Sequence, residues 1–258
     1  MRTRRYRHIQ EGSGYDLSIS DLMAALCCIF VLVTISIFAS LKEKNHLADK
    51  YQKLQQDLYL DLNEDLGEYL DDWKATIDPD TLAIRFAATD EKGNDLQFAP
   101  RSDIPLDTYK AILKDFFPKL VTILEQDKYK GEIEEIRIEG FTAPDKTDPE
   151  GEGSEHDYTS GIELSQKRTM NVLLFCLNET SYLDSIEPDK RESEKNWIRE
   201  HIVANGYSLS RPLGTDGKPI PEKRKLTDEE KRASRRVEFR IKTNSDKIVQ
   251  QFQEINGN

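Results

Sequence analysis

Twenty consecutive residues, Leu22 to Leu41, carry no charge (LMAALCCIFVLVTISIFASL). About 20 apolar residues suffice for a helix to cross a bilayer, and a buried helix this long in a soluble protein almost always carries a charge. The run is therefore read as a transmembrane helix. Extended back to Leu17, it spans 25 residues with one acidic or basic side chain, Asp21. A cleaved signal peptide has a shorter apolar core, about 7–15 residues, and ends in small residues. Phe38-Ala39-Ser40-Leu41 fits that pattern poorly, which favours an uncleaved anchor.

Outside this run the chain is very polar. Its 258 residues include 48 acidic and 37 basic side chains, a net charge of −11, and the mean hydropathy is −0.68. That argues against several membrane spans. The acidic balance argues against nucleic acid as a direct partner, because neutralising phosphates takes a surplus of Lys and Arg. Arg2, Arg4, Arg5 and Arg7 precede the span, and Lys42, Lys44, Lys50 and Lys53 follow it, so the positive-inside rule barely discriminates. The short N-terminal tail and the large acidic remainder favour a cytoplasmic N-terminus, with the C-terminal part in the periplasm of a bacterium. Cys176 is the lone cysteine beyond the span and is expected to be a buried thiol.

Asp21 is the residue with the most to say about function. A carboxylate within a membrane helix costs roughly 2.5–3.5 kcal/mol on insertion scales, and such residues usually pair or serve ion movement. The plain alternative is that Asp21 caps the helix start. Leu17 and Ile19, which continue the apolar pattern before it, weigh against a cap. In a site of low dielectric a carboxyl group can take up and release a proton near neutral pH.

After the span, apolar or aromatic residues fall at Leu47, Tyr51, Leu54, Leu58, Leu62, Leu66, Tyr69 and Trp73, one stripe of a long helix. The stripe either pairs with a second copy, with Leu54, Leu58 and Leu62 facing it, or packs on the chain's own domain; pairing is the favoured reading. Asp78-Pro79 should end the element.

The remainder alternates strand and helix signals. Leu82, Ile84 and Phe86 suggest a strand, and 106–127 a helix kinked or divided by Pro118. Ile133 to Gly140 suggests a second strand, 141–161 a loop, and Ser165 to Leu177 a helix. A short helix is expected from Trp197 to Ala204, stopped by Asn205-Gly206. Thr227 to Glu230 forms a capping box, Val237 to Ile241 a last strand, and Ser245 to Ile255 a terminal helix. This order predicts an α+β fold, a small mixed sheet with helices on one face. His8, His46, His156 and His201 show no metal-ligand spacing, and no catalytic motif is apparent, so neither a metal cofactor nor an enzyme is expected.

Tyr15 to Leu26, with Asp21 at its centre and an apolar run after it, resembles the membrane helix of ion-driven stator B subunits, the family of MotB and, more distantly, ExbD and TolR. Phe98 to Lys242 resembles an OmpA-like peptidoglycan-binding domain. Four motifs carry the likeness: Ile136 to Thr142, Leu164-Ser165 with Arg168, Asn205-Gly206-Tyr207 with Arg211-Pro212, and Ser234 to Phe239. The resemblance implies that Asp21 carries a transported proton or sodium ion. It also implies that Thr142, Asp145, Tyr158, Arg168, Arg235 and Arg236 bind the diaminopimelate part of the cell wall. An arginine fork suits a carboxylate, although one of the two adjacent arginines is more simply read as paired with a nearby glutamate. Phe141 stands where the family has histidine, Ala143 where it has aspartate, and Gly161 where it has asparagine. The implied organisation is a cytoplasmic tail (1–16), membrane helix (17–41), helical dimerising linker (42–78), OmpA-like domain (79–243) and C-terminal tail (244–258). The implied assembly is a homodimer inside a ring of MotA-like multi-span membrane subunits, gripping peptidoglycan. The layout is closer to the stator-like component of an anti-phage defence system than to a flagellar stator. A passive envelope tether is the alternative without ion movement.

Overall fold

The computed structural model describes residues 13–244 apart from 91, 147, 185, 222 and 223; of residues 13–19 and 43–51 it describes the backbone alone. The expected terminal helix at Ser245 to Ile255 lies outside the described residues. The chain divides into two compact units, Met1–Tyr51 and Gln52–Asn258.

The first unit is the N-terminal part of α1 (Ser13–Leu66). Within it, Ser20–Lys42 is long and apolar enough to cross a membrane. Its large apolar side chains, among them Leu22, Phe30 and Phe38, stand exposed. The Thr34 hydroxyl donates to the Phe30 carbonyl at 2.7 Å. It thereby satisfies itself within its own helix, as hydroxyls in membrane helices commonly do.

The second unit begins with the last turns of α1. Leu58, Leu62 and Leu66 have no exposed surface and belong to the domain core, with Leu54 packed at its margin. This corrects the expectation that Leu58 and Leu62 face a second copy: their own domain already covers them. Gly67–Tyr69 tightens into a 3-10 turn, α2 (Leu70–Trp73) follows, and Lys74 adopts a left-handed conformation (φ 51°) that turns the chain into β1 (Ala75–Asp78). The proposed linker thus ends in a strand, and the folded unit starts well before residue 79. Asp78 makes the next turn by accepting from the amides of Asp80 and Thr81, at 3.0 and 3.1 Å.

β2 (Ala83–Phe86), β3 (Ile133–Phe141), β4 (Ile202–Gly206) and β5 (Arg236–Thr243) complete a five-stranded sheet of order β1-β2-β5-β3-β4. β3 and β4 are parallel; the other neighbours are antiparallel. The predicted mixed sheet is present. One face is apolar: Ile84, Ile136, Ile138, Phe239 and Ile241 pack with α3 (Asp107–Leu124) and α5 (Glu155–Glu179). Phe116 of α3 meets Phe86 and Phe239 edge to face, at centroid distances of 4.9 and 5.0 Å, a favoured aromatic geometry. Cys176 is fully buried in this layer, and burial pushes its thiol up, so it is inert as a nucleophile.

Several boundaries differ from expectation. α3 runs unbroken through Pro118. The carbonyl that loses its donor belongs to exposed Lys114, where water can replace it. α5 starts ten residues before Ser165 because the Ser154 hydroxyl accepts from the Asp157 amide at 3.0 Å; the expected loop is correspondingly shorter. A four-residue helix, α4 (Asp127–Lys130), precedes β3. The predicted helix at Trp197 to Ala204 is half right. α6 (Arg191–His201) ends where Ile202, Val203 and Ala204 pair with Ile136, Arg137 and Ile138, and the ladder overrides continuation of the helix. α7 (Asp228–Ser234) carries the predicted capping box on Thr227 and Glu230.

Candidate functional site

A cavity of about 830 Å³ opens where β3 ends, between the first turns of α5, the segment before α3 and the start of β5. Close packing builds its floor. A Cβ on Gly140 would lie 2.8 Å from the Ser165 carbonyl oxygen, and one on Gly161 would lie 2.5 Å from the Ser208 hydroxyl and 2.9 Å from the Thr142 hydroxyl. Glycine at 161 therefore lets α5 lie against the end of β3.

Five of the six residues expected to bind the cell wall line this cavity: Thr142, Asp145, Arg168, Arg235 and Arg236. Tyr158 does not. Its ring is exposed, and its backbone is tied elsewhere, the carbonyl accepting from the Ser208 hydroxyl at 2.8 Å. Thr142 is buried with a hydroxyl that has no partner among the described residues. Arg235 is exposed at the rim.

Arg168 reaches into the cavity from α5 but is not a loose fork. Its Nε donates to the Ser102 carbonyl at 2.8 Å, its Nη2 to the Ala99 carbonyl at 3.3 Å, and its guanidinium lies 4.7 Å from the Phe98 ring centre. These contacts leave Nη1 to meet a ligand. Burial, with Arg235 nearby, lowers its pKa to about 10, so it remains a cation at neutral pH. A desolvated cation without a carboxylate hydrogen-bonded to it is suited to an incoming anion.

Arg236 corrects the expectation in another way. It is 6% exposed, and its Nε donates to Glu238 at 2.9 Å. Its guanidinium lies 3.8 Å from the Phe141 ring centre; Phe141 stacks on Tyr207, and Arg211 stands over Tyr207. Arg236 is thus the arginine of the pair that is neutralised by glutamate. Phe141, in the family's histidine position, is spent on this stack and does not line the cavity.

Asp145 lies two residues beyond Ala143 and lines the cavity. Its carboxylate receives Arg101 Nε at 3.0 Å and Nη2 at 2.9 Å, and its own amide donates to Asp157 at 3.0 Å. Asp157 is buried and also accepts from the Gly153 amide at 2.7 Å. His156 is pushed up by its hydrogen bond to Asp148, 2.7 Å away. Arg101, Asp148, His156 and Asp157 escaped the sequence reading. The only local signal was Ser154-x-x-Asp157 as a helix start. The basic lining (Arg101, Lys167, Arg168, Arg232, Arg235, Arg236) is matched by an acidic one (Asp95, Asp103, Asp145, Asp148, Asp157, Glu163). Such a mixture suits a ligand bearing both charges better than a polyanion.

In the first unit, Asp21 stands eight residues after Ser13, more than two turns inside α1. A helix-capping role is excluded at that position. It is the single acidic or basic residue from Ser20 to Leu41.

Among the described residues, one apolar helix of spanning length precedes a five-stranded α+β domain with a charged cavity at the end of its central strands. The chain is 32% identical over 250 residues to the Zorya protein ZorB of Escherichia coli (strain Crooks), covering 93% of this chain and 94% of that one. The chain belongs to the ZorB family. No protein-family profile matches it. Among solved structures it is similar to a MotB-like protein from Desulfovibrio vulgaris, with 20% identity, 77% of this chain and 99% of that one covered, and a TM-score of 0.46. The cell wall anchor of the type VI secretion system from Pseudomonas aeruginosa gives 16% identity, coverage of 71% and 97%, and a TM-score of 0.41. The periplasmic domain of Helicobacter pylori MotB gives 14%, coverage of 68% and 83%, and 0.36.

Proposed function

We propose that this chain is the B subunit of an ion-driven stator in the bacterial inner membrane, working as the envelope-sensing motor of a Zorya anti-phage system. The observation that carries the reading is Asp21, a carboxylate more than two turns inside α1 that leads directly into twenty residues without a charge, Leu22 to Leu41. A passive tether has no use for a group that costs insertion energy. In this reading Asp21 alternately binds and releases a proton or sodium ion, and the change of local charge drives a partner subunit. The N-terminus is cytoplasmic and the domain periplasmic. Two copies sit inside a ring of MotA/ZorA-like multi-span subunits. The cavity grips peptidoglycan through Arg168, Asp145, Thr142 and Arg235, with the ligand's carboxylate on Arg168.

The decisive experiment replaces Asp21 by Asn. Asn keeps the shape and hydrogen-bonding capacity but cannot titrate. Loss of phage protection, with unchanged membrane insertion and partner co-purification, is the expected result. Full protection by Asp21→Asn would leave the tether as the function.

A further inference from the structure

The mouth of the cavity is bridged by an ion pair between its two walls. Arg101 belongs to the segment before α3, and Asp145 to the segment after β3. Each wall is held from behind by a buried charge: Arg168 binds the Ala99 and Ser102 carbonyls on one side, and Asp157 binds the Asp145 and Gly153 amides on the other. In front, the Arg101 side chain is 64% exposed and places two nitrogens on a single oxygen of Asp145. Arg101 also holds a left-handed backbone (φ 58°), a conformation that costs a non-glycine residue energy and persists where neighbours enforce it.

We propose that Arg101 is an internal competitor for the ligand, its guanidinium occupying on Asp145 the place that a ligand ammonium group takes. Binding then exchanges one cation for another on Asp145 while the ligand's carboxylate meets Arg168. An exposed pair of this kind is weak enough for a ligand cation to displace. A ligand with a carboxylate alone leaves the bridge shut; a ligand with both an ammonium and a carboxylate opens it. The inference rests on reading the cavity as the wall-peptide site.

The test uses full-length protein in detergent and purified sacculi containing diaminopimelate. Arg101→Gln should bind sacculi about two- to fivefold more tightly than the parent, the equivalent of removing a pair of that strength. Arg101→Lys, which keeps the competing cation, should bind like the parent. In an Asp145→Asn background, which should itself bind more weakly, Arg101→Gln should give no gain. Weaker or unchanged binding by Arg101→Gln would overturn the competitor role, as would a gain that survives Asp145→Asn. Should Asp145→Asn not fold, the contrast between Arg101→Gln and Arg101→Lys decides alone. Failure of the underlying site reading looks different: the parent would not bind sacculi, or Arg168→Ala would bind as well as the parent, and the competitor role would fall with it.

Discussion

Glu139 on β3 and Glu238 on β5 stand directly opposite each other, both fully buried, and the guanidinium of Arg240 bonds to both. Like charges in facing positions destabilise a sheet, so the arginines decide whether this face can exist. Arg85 and Arg236 add bonds to Glu238 at 3.0 and 2.9 Å, while one buried oxygen of Glu139 has no hydrogen-bond partner among the described residues. Burial pushes Glu139 up against the pull of Arg240. At Glu238 burial is outweighed by Arg236 and Arg240, which hold it below the usual carboxylate range.

Removing Arg240 should therefore be costly. Arg240→Met leaves two facing carboxylates in the interior, and breaking a buried pair by deleting one partner costs about 3–5 kcal/mol. Urea unfolding of the full chain in detergent, followed through Trp73 and Trp197, measures the loss. Adding Glu139→Gln should restore part of it, because the remaining repulsion disappears. A loss below about 1 kcal/mol would show that Arg85 and Arg236 suffice.

A second carboxyl pair sets a pH dependence. Burial and the neighbouring Glu194 push Glu125 up to about 7, and Glu194 is itself held by Lys130. Between the ordinary value of 4.5 and about 7 the folded state binds a proton that the unfolded chain has released. Stability from this group is complete at low pH and is lost as pH rises through that window. Glu125→Gln should flatten that slope and be the more stable protein at pH 8. After allowance for solvent screening, the gain is on the order of 1–2 kcal/mol. Thermal melting from pH 4.5 to 8 checks it; parallel slopes for parent and variant would remove the assignment.

The apolar sheet positions and Thr227's capping box were legible in the sequence because period and local chemistry fix them. β4 was not, since Ile202 to Ala204 become a strand only through pairing with β3, a contact distant in sequence. The cavity was half legible. Arg168 and Thr142 sat in recognisable motifs and Asp145 lay three residues beyond one, but no local pattern encodes that Arg101 meets Asp145 or that Asp157 binds the Asp145 amide. Arg236 and Arg235 are neighbours with opposite fates: Arg235 is the exposed C-cap of α7, whereas Arg236 opens β5 and is buried against Glu238. Sequence could predict that one of them is paired, but not which.

The leucine stripe after the membrane helix offered two readings, and the structure separates them by depth along α1. Leu58, Leu62 and Leu66 are fully buried in the domain, whereas Leu60, on another face, is about half exposed. On this side of the helix Asp61 accepts from the Tyr129 hydroxyl at 2.8 Å and pairs with Lys128, which fixes this turn of the helix to α4. Leu58→Ala and Leu62→Ala should therefore each destabilise the domain by about 2–5 kcal/mol, the range for truncating a buried leucine. Cysteine at 58 or 62 should resist maleimide labelling in the native protein and should not cross-link to a second copy, while cysteine at 60 should label rapidly. Ready cross-linking between copies through 58 and 62 would mean that the helix leaves its own domain to pair in the assembled complex. If these positions instead stay shielded, contact between copies must come from another part of the chain.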